Sequence, residues 1–291
     1  MIGLHQYMKA IGFPPLKKKD LEILMEDIIE NPDVMTVTKD SEGNEFTEFI
    51  KYYGKNLGLI VRGTYDEEDE FEAEYCVPFF NGSHKTTDEE IEVEKHAEKE
   101  SYAGVCDDPK LGLTLIFYIN NVADYLTFHR DKKEKTKVRG AILSGLSTEG
   151  RILLPIEKKK VRSRASKNEQ RNKLMAQARE GDEDAAQDLA FEDIDIYAML
   201  AQRVQKEDIM TIVTTYFMPY GIESDQYGIL GEILNIEETQ NDITHEEIYL
   251  ITVNCNELIF DVCINKKDLQ GEPMVGRRLK ANIWMQAQLN I

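Results

Sequence analysis

Leu21, Leu24, Met25, Ile28 and Ile29 recur at the i, i+3, i+4, i+7, i+8 spacing of one helix face, so residues 4–31 read as an amphipathic helix that Asn31-Pro32 stops. Beyond it the apolar period falls to two. Ser41-Glu42-Gly43-Asn44 and Gly54-Lys55-Asn56 are turn signals between extended stretches, which predicts a meander of antiparallel strands. Phe71, Ala73, Tyr75, Val77 and Phe79 alternate with Glu70, Glu72 and Glu74, giving a strand with one apolar and one acidic face. Leu111, Leu113, Leu115, Phe117 and Ile119 repeat the alternation, 122–130 reads as a short helix, and 138–156 as two strands around Ser147-Thr148-Glu149-Gly150.

In the middle of the chain the pattern turns helical. Ser166 and Glu169 stand at capping-box spacing, Gly181 interrupts, and Phe191, Ile194, Tyr197, Leu200, Ala201 and Val204 form a further amphipathic face. From Ile209 the chain returns to β-branched and aromatic runs, at 209–218, 229–236, 248–255, 258–264 and 279–289, with a hairpin turn at 254–257 and a loop through Gly271-Glu272-Pro273. The last run puts Leu279, Ala281, Ile283, Met285, Ala287 and Leu289 on one face and Lys280, Asn282, Trp284, Gln286 and Gln288 on the other. These elements predict an α+β protein. Residues 1–157 would form an antiparallel meander with helices, 158–206 a helical connector, and 207–291 a β-rich domain folded as a small antiparallel barrel or curled sheet, an OB-like barrel being one form.

Charge sharpens this division. The chain of 291 residues carries a formal net charge of -19, and residues 64–100 alone hold fourteen acids against Lys85, Lys95 and Lys99. Residues 158–179 reverse the sign, with nine bases against Glu169, and residues 180–195 reverse it again with eight acids and no base. Adjacent blocks of opposite sign favour pairing with one another, with the acidic meander, or with a second copy of the chain. Nucleic-acid binding through 158–179 is the alternative. It is disfavoured by the net charge and by the absence of any Phe, Tyr or Trp in that run for base stacking.

Candidate chemistry is sparse. Cys76, Cys106, Cys255 and Cys263 include no C-x-x-C pair and are expected as buried free thiols, with Cys106-Asp107-Asp108 on a loop. The five histidines show no metal-ligand spacing, so no metal or cofactor is expected. Ser147 lacks the G-x-S-x-G context of a nucleophile and reads as a turn residue. Asp193, Asp195 and the acids at 66–70 are weak cation ligands by spacing and read as solvated surface, as do His96 and Glu100. The opening residues show no export signal and no apolar run approaches a membrane span, which points to the cytoplasm.

The stretches YFMPYGIESDQYGILGEI at 216–233 and LIFDVCINKKDLQGEPMVGRRLKANIW at 258–284 resemble an uncharacterised family of clostridial-type bacteria, whose members are similar in length; the resemblance covers the whole chain. It implies a bacterial, cytoplasmic protein and carries no assigned activity. The residues themselves favour a non-enzymatic interaction protein, binding a protein partner or a second copy through Trp284 and Lys280 and through Lys158, Lys159, Lys160, Arg162 and Arg164; the size of Trp284 favours the alternative that it lies under a neighbouring helix. An enzyme with a carboxylate site between domains is a further alternative.

Overall fold

The computed structural model describes residues 6–65, 70–95, 101–108, 111–131, 138–156 and 213–291, together with isolated positions between 174 and 189. The N-terminal amphipathic run is divided. A 3-10 helix, Gln6–Ile11, ends where Gly12 adopts φ +88, Pro14 and Pro15 follow, and α1 begins only at Lys18, running to Glu30. The expected single helix fails there because a left-handed glycine and two prolines cannot continue a right-handed helix. Asn31 closes α1 as predicted, its N–H donating to the Asp27 carbonyl at 2.9 Å.

β1 (Val34–Lys39), β2 (Glu45–Gly54), β3 (Leu57–Tyr65) and β4 (Phe71–Phe80) form a four-stranded antiparallel meander, with the predicted turns at 41–44 and 54–56 joining its first three strands. β5 (Thr87–Lys95), β6 (Tyr102–Asp108), β7 (Leu113–Ile119), α2 (Val122–Asp131) and β8 (Val138–Leu153) follow. From Tyr216 onwards come β9 (Tyr216–Pro219), β10 (Gln226–Gln240), β11 (Glu247–Cys255), β12 (Leu258–Asn265), β13 (Leu269–Gln270) and β14 (Arg278–Leu289); the expected connector at 158–206 lies almost wholly outside the described residues. β5 to β14 belong to one ten-stranded sheet.

A single seam organises that sheet. β8 and β14 pair antiparallel along nearly their whole length, from Ala141↔Leu289 to Leu153↔Arg278. At one end of the seam β5, β6 and β7 close a ring of pairings between β8 and β14; at the other, β10, β11 and β12 close a second ring between the same two strands. The β12·β8 pairing is parallel, so the C-terminal strands do not close antiparallel among themselves: β8 completes their ring.

β8 is therefore one strand, where its sequence suggests two. Gly150, which looks like a turn residue, lies within this strand, where glycine is required because a Cβ would lie 2.9 Å from Ile264 Cδ1 and 3.0 Å from Leu269 Cδ1. Ser147 likewise lies within β8, and Cys106 lies in β6 rather than on a loop.

Two apolar clusters follow from this arrangement. Leu279, Ala281, Ile283, Met285, Ala287 and Leu289, the predicted core face of β14, pack in the first with Phe117, Leu143, Ile229 and Phe260. The second lies between the four-stranded sheet, the N-terminal helices and the opposite face of the ten-stranded sheet, and it takes in Leu21, Ile28, Phe49, Leu146, Cys263 and Trp284. β14 is consequently covered on both faces, although one face reads as polar in sequence.

Candidate functional site

Trp284 sits at the join between the second cluster and the surface. Its side of β14 is covered by the N-terminal 3-10 helix, leaving the residue 5% exposed, with ring centroids 5.5 Å from Tyr7 and 5.1 Å from Tyr118. A buried indole N–H needs an acceptor. Trp284 Nε1 donates to Asp225 Oδ2 at 2.7 Å, and the next residue along, Met285, donates its N–H to the Asp225 carbonyl at 2.9 Å. Asp225 is thereby fixed through both side chain and main chain.

This double anchor positions the turn between β9 and β10. Pro219 pairs with Tyr227, the Tyr220 N–H donates to the Gln226 carbonyl at 2.8 Å, and Gly221 takes φ +75 to let the chain reverse. β9 is tied down in turn by the Cys255 thiol, which donates to the Tyr216 carbonyl at 2.8 Å. The turn carries three exposed apolar side chains: Met218 at 55%, Tyr220 at 47% and Ile222 at 99% exposure. β9 ends the sheet path among the described residues, and Pro219 withholds an N–H from that edge. The result is an apolar projection beside a strand edge that no further strand among the described residues pairs.

Negative groups gather at its base. Burial, then Asp225, Tyr220 and Glu149, push the Tyr7 phenol up to about 12. Asn282 Nδ2 donates to Glu149 Oε1 at 2.9 Å, and Lys9 pairs with Asp268 at 2.5 Å. Tyr7 is thus a neutral phenol across the physiological range, serving as a stacking surface for Trp284.

Of the residues predicted from sequence, Trp284 alone is placed here, buried under the 3-10 helix as its size favours. Lys280 is half-buried further along β14, opposite Leu230 of β10 and Arg151 of β8. Lys158, Lys159, Lys160, Arg162 and Arg164 lie outside the described residues, as do His96, Glu100, Asp193, Asp195 and residues 66–69. Asp225, Tyr220 and Ile222 carry no chemical motif; their only signal is membership of the 216–233 stretch.

The nucleophile candidates are withdrawn from solvent. All four cysteines are free and buried, burial holding the thiols of Cys76 and Cys255 up at about 12, that of Cys106 at about 11, and that of Cys263 higher still. The Ser147 hydroxyl lies 2.8 Å from the carbonyls of Glu149 and Asn282, where it closes main-chain acceptors. A shallow depression lined by Glu238, Gln240, His245 and Glu247 has both carboxylates engaged by Lys266, at 3.4 and 3.3 Å. Among the described residues, no group of three or more His, Cys, Asp or Glu side chains is placed to hold a metal ion, and no helix is long and apolar enough to cross a membrane.

Neither the curated proteins nor the solved structures contain a match to the chain. Residues 8–287 do match a family, described as "Domain of unknown function, E. rectale Gene description (DUF3881)", and with that span nearly the whole chain is accounted for: it belongs to this uncharacterised family.

Proposed function

We propose that the protein is a non-enzymatic, cytoplasmic interaction module that docks a protein partner on the projection formed by Met218, Tyr220 and Ile222. One observation carries the reading: Ile222 is 99% exposed at the tip of a turn whose base is fixed by the Asp225–Trp284 hydrogen bond. Leaving a large aliphatic side chain in water forgoes about 1.5–3 kcal/mol of burial free energy, and a preordered turn recovers it on docking with little further loss of entropy. In this reading the ring carrying β10 and β14 acts as a small barrel that holds the turn in place. Trp284 serves as a positioning residue, Lys280 and the basic residues Lys158, Lys159, Lys160, Arg162 and Arg164 add cationic contacts, and four free thiols suit a reducing compartment.

The test is capture of partners from the host's own nuclease-treated lysate by the full chain and by Ile222→Asp and Met218→Asp variants. A stoichiometric protein partner retained by the wild type and lost from both variants, with thermal stability unchanged, supports the reading. Retention by both variants, or a partner released by nuclease, overturns it.

A further inference from the structure

β1 is the outer strand of the four-stranded sheet, and no strand pairs with its outer side among the described residues. Its hydrogen-bond phase is set at both ends. The Asp40 N–H donates to the Asn44 carbonyl at 2.9 Å, continuing the Lys39↔Glu45 register by one residue. At the other end the Asp33 N–H donates to the Ile50 carbonyl, in the manner of a bulge preceding the Val34↔Ile50 pair. Hydrogen-bonded pairs alternate along an antiparallel ladder, so Val34, Thr36 and Thr38 face β2 with their main-chain groups, and those of Met35, Val37 and Lys39 point outwards.

The same odd-numbered residues share one side-chain face. It is open: Met35 is 51% and Val37 50% exposed and Lys39 is exposed as well, whereas Asp33 turns back to β2, its carboxylate accepting the Tyr52 N–H at 2.7 Å. Edge strands of monomeric proteins are usually blunted by central charges or proline, and β1 has neither between Val34 and Thr38.

This edge is complementary to itself. When two copies of residues 34–38 run antiparallel about a two-fold axis at Thr36, Met35 meets Val37 twice in the centre. These odd–odd pairs are the ones whose main-chain groups are available to bond. Sliding by two residues either way keeps that phase but leaves a single central apolar pair, Val37 with Val37 beside Met35 set against Lys39, or Met35 with Met35 beside Val37 set against Asp33. A two-fold register that satisfies main-chain phase and doubles the Met35–Val37 contact selects a second copy of this chain over an unrelated strand.

We propose that the protein self-associates through β1, two copies pairing antiparallel about Thr36 so that their four-stranded sheets join into one. The surface is separate from the 218–222 projection, so the two readings stand or fall independently.

Sedimentation velocity of the full chain over about a hundredfold concentration range tests it by mass action, alongside Val37→Lys, which places cations at the centre, and single-cysteine variants. Thr36 would face Thr36 of the second copy as a non-hydrogen-bonded pair with Cα atoms about 4.5 Å apart, within the range a disulfide spans. The four native thiols are buried, so background cross-linking is low. The expected result is a concentration-dependent dimer in the wild type, a monomer in Val37→Lys, and a disulfide-linked dimer on oxidation of Thr36→Cys but not of Val34→Cys. A monomer at every concentration, a dimer indifferent to Val37→Lys, or equal cross-linking of Val34→Cys overturns the proposal.

Discussion

Arg62 and Glu48 stand directly opposite each other on β3 and β2, both sealed from solvent, with Arg62 Nε donating to Glu48 Oε2 at 2.5 Å. The guanidinium also reaches across to the ten-stranded sheet, donating to the Tyr118 hydroxyl at 2.8 Å and to the Asn120 carbonyl. One side chain thus clasps the two sheets through three charge-assisted bonds.

Removing Arg62 strands a carboxylate in the interior. Arg62→Ala should lower stability by about 3–5 kcal/mol in urea denaturation at neutral pH. Burial raises the affinity of Glu48 for its proton, with Arg62 opposing, so loss of Arg62 raises it further. A carboxyl whose folded pKa lies above its unfolded value favours the fold when protonated. That stability is present below the unfolded value of about 4.3 and is lost as pH rises through the folded one. The deficit of Arg62→Ala should therefore shrink as pH falls towards about 5, and a deficit constant between pH 5 and 8 would place the loss in packing instead.

Gln286 makes a second join between the sheets. Its amide Nε2 donates to the Pro78 carbonyl at 2.8 Å and its Oε1 accepts the Phe80 N–H at 3.1 Å, so a side chain of β14 bonds to the end of β4 as a neighbouring strand would. Gln286→Leu leaves both main-chain groups unpaired in a dry position and should cost about 2–4 kcal/mol, at about 1–3 for each buried unsatisfied group with some relaxation. Hydrogen exchange is the more specific readout: the Phe80 amide should lose protection while the β8·β14 ladder keeps it.

Trp284 is the only tryptophan, so its emission reports on the projection directly. Enclosed by Tyr7 and Tyr118, it should emit at the blue wavelengths of a buried indole. Asp225→Ala removes a hydrogen bond to a charged acceptor, worth about 1.5–3 kcal/mol. It should shift the emission, and it should raise amide exchange across 219–225 more than elsewhere. Unchanged exchange in that turn would show that Asp225 does not hold it.

Much of the β architecture is legible in the chain's period of two, and what is not legible is long-range. The face Leu279, Ala281, Ile283, Met285, Ala287 and Leu289 is core as its alternation implies, and the turns at 41–44, 54–56 and 254–257 fall where Gly and Asn place them. Trp284 lies under a helix, as its size favours in sequence, but which helix is not legible, and the burial of Gln286 is invisible, because it depends on a β4 terminus 206 positions away. Gly150 reads as a turn in sequence and becomes a packing contact only once β12 and β14 lie beside it. Trp284 could be singled out as an unusual residue on a polar-looking face. Asp225 could not, since nothing local marks a carboxylate 59 residues away as the partner of an indole.

The buried thiols and phenols make the fold vulnerable to base. Burial raises Cys76, Cys106 and Cys255 to about 12, 11 and 12, and Tyr7 and Tyr227 to about 12. Each group folds as its neutral form and has a folded pKa above its unfolded one, so its contribution is intact below the unfolded values, about 8.5 for thiols and 10 for phenols. It declines as pH rises through the folded ones. Stability should hold level from pH 7 to about 8.5 and fall steadily between pH 9 and 12, with all five groups acting in the same direction. Thermal melts across that range check the sign. The same burial predicts that a thiol reagent at pH 8 labels the native protein slowly, at a rate set by opening of the sheet, and labels all four cysteines at once in denaturant. Fast native labelling of Cys106 alone would show that β6 opens independently of the seam between β8 and β14.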